Sequence, residues 1–347
     1  MIRGFFFAAT ALLLPCLAFG GNPSADLSVQ VVPLTPPGSG GPAKPPGPAA
    51  ALGFTTLALN SDFTQQMPTN WLGGCPNGAN GQVPDTNDVT GHTWWINRYW
   101  NSTYQPCNIA QVQDPAGGGL VLDIPWTVDA NFGSLGNNIE TASWNYNVST
   151  GTGSAVHFPN NIYMEIVFKA APITNSNYNA YWTWDTRGMA SGSTAYFEWD
   201  DIEADGSNHT AYDSAVHDWS NGNTGDFIWT GGNGTHGLGI NFPFDDAAYH
   251  TWGMQIASDG TKIIGCTYLD GTFLRCLSFY ITLSAAEQTA RNFLFITNAA
   301  ISPYSNNGQR QDVYVKTARV WSCASWQTTE CNIPTASLPQ PTPLSTP

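Results

Sequence analysis

Positive charge is scarce in this chain, which carries 11 lysines and arginines against 25 aspartates and glutamates. The formal net charge is -14, and charged residues make up only 10% of the sequence. A phosphate backbone is bound by a basic surface, so this composition argues against a nucleic-acid-binding protein. The chain is instead rich in aromatic residues, with 14 tryptophans, and aromatic rings stack on neutral sugars without needing charge. For any single ring, a place in a β-sheet core is the alternative.

Long apolar runs are also missing after the first residues, so no membrane-spanning segment is predicted. Residues 1–20 have the features of a secretory signal: Arg3, then the apolar stretch Phe5 to Leu14, then the small-residue cleavage site Ala18 to Gly20. We therefore expect a secreted, extracellular protein, and we expect it to be a monomer. Cys16 would be removed with the signal.

Closely spaced cysteine pairs are absent, since no Cys-x-x-Cys spacing occurs that would indicate a metal or redox site. The sequence has 7 cysteines, so six remain after the signal, an even number that predicts disulfide bonds in a secreted chain. Cys266 and Cys276 flank an Asp270-Gly271 turn, and a bulge or a three-residue loop would set them opposite each other. Nearest-neighbour pairing predicts bonds Cys75–Cys107, Cys266–Cys276 and Cys323–Cys331, among the many pairings that six cysteines allow.

Helical periodicity is nearly absent from the central region. Short apolar or alternating runs are separated by Gly, Asn, Asp and Pro turns, which is typical of an antiparallel β-sandwich. The clearest predicted strands are Leu120–Pro125, Ile162–Ala170, His250–Ile256, Lys262–Tyr268, Phe293–Thr297 and Val313–Val320. One short helix is predicted at Ser284–Arg291.

Segments rich in proline and small residues bracket this region. Residues 21–52 are rich in Pro, Gly and Ala, and residues 333–347 in Pro, Ser and Thr. Such compositions cannot bury a core, so they predict a linker or tail at each end. Residues 53–332 are predicted to form a single all-β domain without internal repeats.

The most informative motif is Glu-Trp-Asp-Asp-Ile-Glu at 198–203, directly after an extended aromatic run. In a strand, Glu198 and Asp200 would share one face, and strict alternation would send Glu203 to the other. One extra residue, a β-bulge, would return Glu203 to the first face. Carboxylates this close raise at least one pKa, and two carboxyl groups of unequal pKa are what glycosidic bond cleavage requires. A solvated acidic turn or a calcium loop is the alternative.

Taken with the segments around it, this motif resembles glycoside hydrolase family 16, the laminarinase, lichenase and agarase group. The resemblance runs from Leu57 to Trp326 and rests on short segments in a shared order. They are Asn60-Ser-Asp-Phe, Tyr163-Met-Glu-Ile-Val-Phe-Lys, Asn179-Ala-Tyr-Trp-Thr-Trp, Ala215-Val-His-Asp-Trp, Tyr249-His-Thr-Trp-Gly-Met-Gln-Ile, Tyr268-Leu-Asp-Gly and Val313-Tyr-Val-Lys-Thr-Ala-Arg-Val-Trp. The resemblance implies a concanavalin-like β-jelly roll of two antiparallel sheets with a sugar cleft on the concave face.

The resemblance also implies a role for each acid: Glu198 as nucleophile, Asp200 as its assistant and Glu203 as general acid/base. The chain would then be a retaining endo-glycosidase acting on a β-linked neutral polysaccharide, with β-1,3- or β-1,3(4)-glucan the first expectation. A catalytically silent carbohydrate-binding lectin, a structural protein that adheres to glucan and a transglycosylase of cell-wall polysaccharide stay open as alternatives.

Substrate contacts are implied by the same pattern. Trp182 matches a cleft tryptophan and would be a sugar platform, and His217 would be a hydrogen-bond donor in the cleft. Trp184, Trp219 and Arg187 are further substrate-binding candidates. A core, scaffold or surface role is the alternative for each of the five.

Two departures from the family pattern carry expectations of their own. Asp201 stands with Trp199 where small aliphatic residues are usual, and on the far side of the strand its carboxyl group must be hydrated or paired. Lys316 stands where an aspartate tied to a structural calcium is usual. No metal and no other cofactor is therefore expected.

Overall fold

The structure is a computed structural model, and it describes part of the chain. The described residues are 44–63, 82–84, 93–96, 120–124, 134–141, 157–169, 177–185, 197–205, 213–218, 228–229, 248–276, 281–283, 285, 288, 292–301, 311–323, 333 and 335–338. The predicted signal segment, the cysteines Cys75, Cys107 and Cys331, and nearly all of the predicted helix Ser284–Arg291 lie outside them. Within the described part, no helix is long and apolar enough to cross a membrane.

Strands dominate the described residues, with one short helix, α1 (Gly47–Ala51), and a 3₁₀ turn at Thr335–Ser337. The strands are β1 (Thr56–Ser61), β2 (Gln82–Pro84), β3 (Thr93–Ile96), β4 (Leu120–Ile124), β5 (Ser134–Glu140), β6 (Ile162–Lys169), β7 (Asn177–Asp185), β8 (Phe197–Asp205), β9 (Asp213–Asp218), β10 (Ile228–Trp229), β11 (His250–Ser258), β12 (Lys262–Leu269), β13 (Thr272–Cys276), β14 (Ile281–Thr282), β15 (Asn292–Ile301) and β16 (Gln311–Ser322).

Two antiparallel sheets contain these strands. The first sheet has the order β1-β16-β6-β11-β12-β13, with β14 beside β12 and β4 beside β16. The second sheet has the order β10-β9-β8-β7-β15-β5-β3-β2. The predicted all-β jelly-roll sandwich of two antiparallel sheets is therefore confirmed. The six strands predicted from apolar alternation are all present, within a few residues of their predicted ends.

The main hydrophobic core lies between the two sheets. Along β6, alternate residues Ile162, Met164 and Ile166 are buried in it, as period-two alternation requires. Tyr181 and Trp199 enter the same core from β7 and β8 of the second sheet. The side chains on the opposite faces of β7 and β8 therefore do not belong to this core.

A second buried cluster covers part of the outer face of the first sheet. Tyr163, Tyr268 and Trp321 lie on this face and pack beneath Ala49 and Leu338. Part of the segment predicted as a linker and part of the predicted tail are thus packed against the sheet. The folded region extends a little beyond the predicted bounds of 53 and 332, because both flanking segments carry isolated apolar side chains that the sheet face can bury.

A buried charged network lies on the same outer face. The Arg319 guanidinium is 3.4 Å from a Glu165 carboxylate oxygen and donates to Asn60 Oδ1 at 2.9 Å, which links β16, β6 and β1. The Tyr163 hydroxyl donates to the other Glu165 oxygen at 3.5 Å. Burial raises the pKa of Glu165 from 4.5 to about 7, although Arg319 and Tyr163 pull it down. Desolvation of the carboxylate therefore raises this pKa by more than Arg319 and Tyr163 lower it.

This network predicts that stability falls as pH rises. A carboxyl group with a raised folded-state pKa stabilises the fold fully below its unfolded pKa of 4.5, and this contribution is lost as pH rises to about 7. At about 1.4 kcal/mol per pH unit, the parent should lose roughly 3 kcal/mol relative to Glu165→Gln, whose amide cannot ionise. Denaturant unfolding of both proteins at acidic and mildly alkaline pH measures this difference. A difference that stays constant with pH would contradict a protonated Glu165.

The hairpin between β12 and β13 holds a disulfide bond between Cys266 and Cys276. Asp270 and Gly271 have φ values of 51° and 76°, the positive angles of a tight two-residue hairpin turn. The register shifts by one residue after Thr267, and this bulge sets Cys266 directly opposite Cys276. The predicted cross-strand bond and the bulge that it requires are confirmed.

We expect three disulfides and no free thiol in the mature protein. Cys323 is also disulfide-bonded, with a partner outside the described residues. Titration of the unfolded, unreduced protein with a thiol reagent should therefore give a value close to zero. One or more reactive thiols per chain would contradict the full pairing.

Candidate active site

Strand β8 carries the acidic motif and has the predicted bulge. Against β7, Trp184 stands opposite Glu198, Trp182 opposite Asp200 and Ala180 opposite Glu203. From the second pair to the third, the chain advances two positions on β7 but three on β8. Directly opposed residues of antiparallel strands share a face, so the three acids occupy register positions of one face.

Strand β9 on the other side gives the same register. Glu198 stands opposite His217, Asp200 opposite Ala215 and Glu203 opposite Asp213, with the shift again between Asp200 and Glu203. Glu203 and His217 are placed here by backbone register alone. The bulge is thus an extra residue relative to both neighbouring strands, and the predicted local geometry is confirmed.

The opposite face of β8 points into the core and fixes which face the acids take. Trp199 and Ile202, on either side of the bulge, are fully buried in the core between the sheets. Because these two large side chains cannot leave the core without exposing their apolar surface, the register of β8 is strongly determined.

The two acids whose side chains are described differ in exposure. Glu198 is half-buried, whereas only 1% of the Asp200 surface is exposed. The backbone carbonyl of Asp200 accepts a hydrogen bond of 2.9 Å from the buried Ser214 hydroxyl, which ties the start of the bulge to β9. Ser214 was not among the predicted site residues, because a lone serine in a strand has no distinguishing sequence signal. An accessible acid beside a buried acid suits one group that reacts and one that adjusts its neighbour.

Trp182 and Trp184 lie on β7 beside the acids. Their ring centroids are 6.0 Å apart with an interplanar angle of 36°, and their exposures are 3% and 7%. Both tryptophans therefore lie next to Asp200 and Glu198, and the side chains of both tryptophans are nearly buried. A sugar-contact role for them stays a prediction. Trp219 and Arg187 lie outside the described residues.

Asp201, the residue expected to be hydrated or paired, is buried. It is 1% exposed, and its carboxyl oxygens have no hydrogen-bond partner among the described residues. Burial raises the pKa of Asp201 well above 3.8, and the negative charge of Glu165 adds to the rise. The raised pKa favours the protonated, neutral form of this carboxyl group. The neighbouring Tyr181 hydroxyl is also buried, and the pKa of Tyr181 is raised by burial and then by Asp201.

Within the described residues, no group of three or more His, Cys, Asp or Glu side chains could hold a metal ion. The described site presents carboxyl groups along one strand. Such groups can attack an electrophilic carbon, hold a proton or exchange one with a bound molecule.

Comparison with known proteins gave matches to solved structures alone. No family model and no curated protein matches the chain. The structure is similar to a GlcNAcα1-4Gal-releasing endo-β-galactosidase from Clostridium perfringens, with 12% identity, a TM-score of 0.46, and coverage of 79% of this chain and 64% of that chain. The match thus spans less than two thirds of that enzyme.

Two further solved structures are matched over nearly their whole length. One is the catalytic domain of an endo-1,3-β-glucanase (laminarinase) from Thermotoga petrophila, with 15% identity, a TM-score of 0.47, and coverage of 77% and 97% of the two chains. The other is a family 16 glycoside hydrolase from Bacteroides ovatus in complex with an oligosaccharide product, with 11% identity, a TM-score of 0.47, and coverage of 75% and 98%. With identities of 11–15% and TM-scores below 0.5, these likenesses carry no conclusion about the function of this chain.

Proposed function

We propose that this chain is a secreted, retaining endo-glycosidase that hydrolyses a β-linked neutral polysaccharide, with β-1,3- or β-1,3(4)-glucan as the first candidate. The observation that supports this most is the bulge of β8, which gives Glu198, Asp200 and Glu203 register positions on one face. Without the extra residue, Glu198 and Glu203 would fall on opposite faces and could not act on the same bond.

In this proposal Glu198 attacks the anomeric carbon and forms a covalent glycosyl-enzyme, while Glu203 protonates the departing sugar oxygen. Glu203 then removes a proton from water, and the resulting hydroxide displaces Glu198 from the sugar. Retention requires two carboxyl groups about 5–5.5 Å apart, a spacing that nearby positions on one strand face can reach. Asp200 lies between them in sequence and tunes the proton affinity of Glu198.

A neutral substrate agrees with the charge of the chain. With a net charge of -14, a densely charged anionic polymer would be repelled, whereas an uncharged glucan would not. The aromatic content and the tryptophans beside the acids on β7 suit the apolar faces of sugar rings.

The proposal is tested by measuring reducing-sugar release on a panel of purified polysaccharides: β-1,3-glucan, mixed-linkage β-1,3/1,4-glucan, agarose and a sulfated galactan. Release of oligosaccharides from a β-glucan is the expected result. Binding to the same polymers without any release would identify a lectin instead. Products lengthened by an added acceptor oligosaccharide, in place of hydrolysis, would identify a transglycosylase.

A further inference from the structure

The outer face of the first sheet is divided into two halves of different chemistry. One half is buried under α1 and the 333–338 segment. The other half carries two lysines and two tyrosines, all half-buried rather than covered. We call these four residues the Lys–Tyr cluster: Lys169, Tyr249, Tyr314 and Lys316.

The cluster is held together by contacts between ammonium groups and aromatic rings. The Lys169 ammonium lies 4.3 Å from the Tyr314 ring centroid and 5.3 Å from that of Tyr249. The Lys316 ammonium lies 4.0 Å from the same Tyr249 ring. Two positive charges therefore share one ring, within the distance at which cation–π attraction is significant.

A β-bulge in β16 places Lys316 in this cluster. Tyr314 stands opposite Lys169 in the pairing of β16 with β6, and the register then shifts between Val315 and Thr317. Lys316 is the extra residue of this bulge. A β-bulge re-aims a side chain that regular alternation would send elsewhere.

Neither lysine is neutralised by a carboxylate of the described residues. The ion pairs recorded there are Arg319 with Glu165 and His250 with Asp270, and both acids are thereby engaged. The lack of a carboxylate partner for either lysine among the described residues is unexpected in a chain with 25 aspartates and glutamates and only 11 lysines and arginines. Two like charges gathered on one ring repel each other, and an incoming anion relieves that repulsion.

We propose that the Lys–Tyr cluster binds a carboxylate or sulfate group carried by a sugar unit of an otherwise neutral polysaccharide. Two ammonium groups can neutralise one such anion with charge-assisted hydrogen bonds. The half-buried tyrosines beside them offer apolar surface to the sugar ring that bears it. The net charge of -14 disfavours a polymer that is charged at every unit.

This surface is distinct from the acid-bearing strand. The cluster lies on the first sheet, whereas β8 belongs to the second sheet. Its anion-binding property therefore does not depend on the proposed hydrolysis. If the hydrolysis takes place, the surface would favour polysaccharides with occasional acidic units.

Isothermal titration calorimetry of the full chain tests the proposal with three probes. They are a β-linked oligosaccharide carrying one uronic acid, the same oligosaccharide with a sulfate ester, and the neutral oligosaccharide. Both acidic probes, or one of them, should bind more tightly than the neutral probe. The double variant Lys169→Gln with Lys316→Gln should weaken that binding by about tenfold, since both ion pairs with the anion are lost. Lys262→Gln, at an exposed lysine that begins β12, should leave it unchanged.

Salt and free anions complete the test. Raising the ionic strength to about 1 M shortens the screening length to about 3 Å and should abolish the preference for the acidic probes in the parent protein. Free glucuronate and inorganic sulfate should bind far more weakly than the acidic oligosaccharides, because they lack the sugar contacts. Equal binding of acidic and neutral probes, no loss in a folded double variant, or equal affinity for the free ions would each overturn the proposal.

Discussion

Replacing Glu198 by glutamine is expected to abolish hydrolysis while the protein stays folded and still binds sugar. The amide keeps the size of the side chain but cannot form the covalent bond to the anomeric carbon, so the two-step route is lost. We expect kcat to fall by roughly 10⁴-fold or more, as for loss of a central catalytic group. Asp200→Asn should be milder, because Asp200 adjusts its neighbour and does not react.

The matched control is Glu165→Gln, the same chemical change on the outer face of the first sheet. It should retain activity close to the parent, since Glu165 lies in the network with Arg319 and Tyr163 and not on β8. Both variants are checked for thermal unfolding and for binding of the polysaccharide. Hydrolysis by Glu198→Gln near the parent rate would exclude Glu198 as the nucleophile.

Replacing Glu203 by alanine is expected to slow hydrolysis severely and to make it respond to azide. With a substrate whose leaving group needs no proton, the first step should survive and the glycosyl-enzyme should accumulate. Azide needs no general base, so it should release the intermediate as a β-glycosyl azide. Quantifying this product by NMR separates the acid/base role from the nucleophile role.

Glu198→Ala supplies the opposite control. Azide would there take the place of the missing carboxylate, attack from the other side of the sugar and give the α-azide. Equal azide products from the two variants, or no effect of azide on Glu203→Ala, would mean that the two glutamates do not have the assigned roles.

The sequence allowed the bulge of β8 to be predicted because the chemistry demands it. Three acids at positions 198, 200 and 203 can share a face only if one residue is extra, and the pairing with β7 and β9 has that extra residue. The hairpin disulfide was predictable for a similar reason, since Cys266 and Cys276 flank a turn and need a bulge to meet.

Features that depend on contacts between distant segments could not be predicted. Lys169 and Lys316 meet over Tyr249 only after three strands pair, and no local pattern marks that meeting. The packing of Ala49 and Leu338 could not be predicted either, because segments rich in Pro and small residues give little sign of a buried side chain. Asp201 was expected to be hydrated or paired, yet tertiary contacts bury it and raise the pKa of its carboxyl group.

If Glu198 and Glu203 act on one bond from the same face of β8, hydrolysis retains the anomeric configuration, and the stereochemistry of the first product reveals this. Proton NMR, recorded from the first moments of reaction with a β-linked glucan oligosaccharide, shows which anomer of the new reducing end forms before mutarotation. We expect the β-anomer first, because two successive displacements at the anomeric carbon restore its original configuration. An α-anomer appearing first, or no new reducing end from any β-glucan, would contradict the assignment.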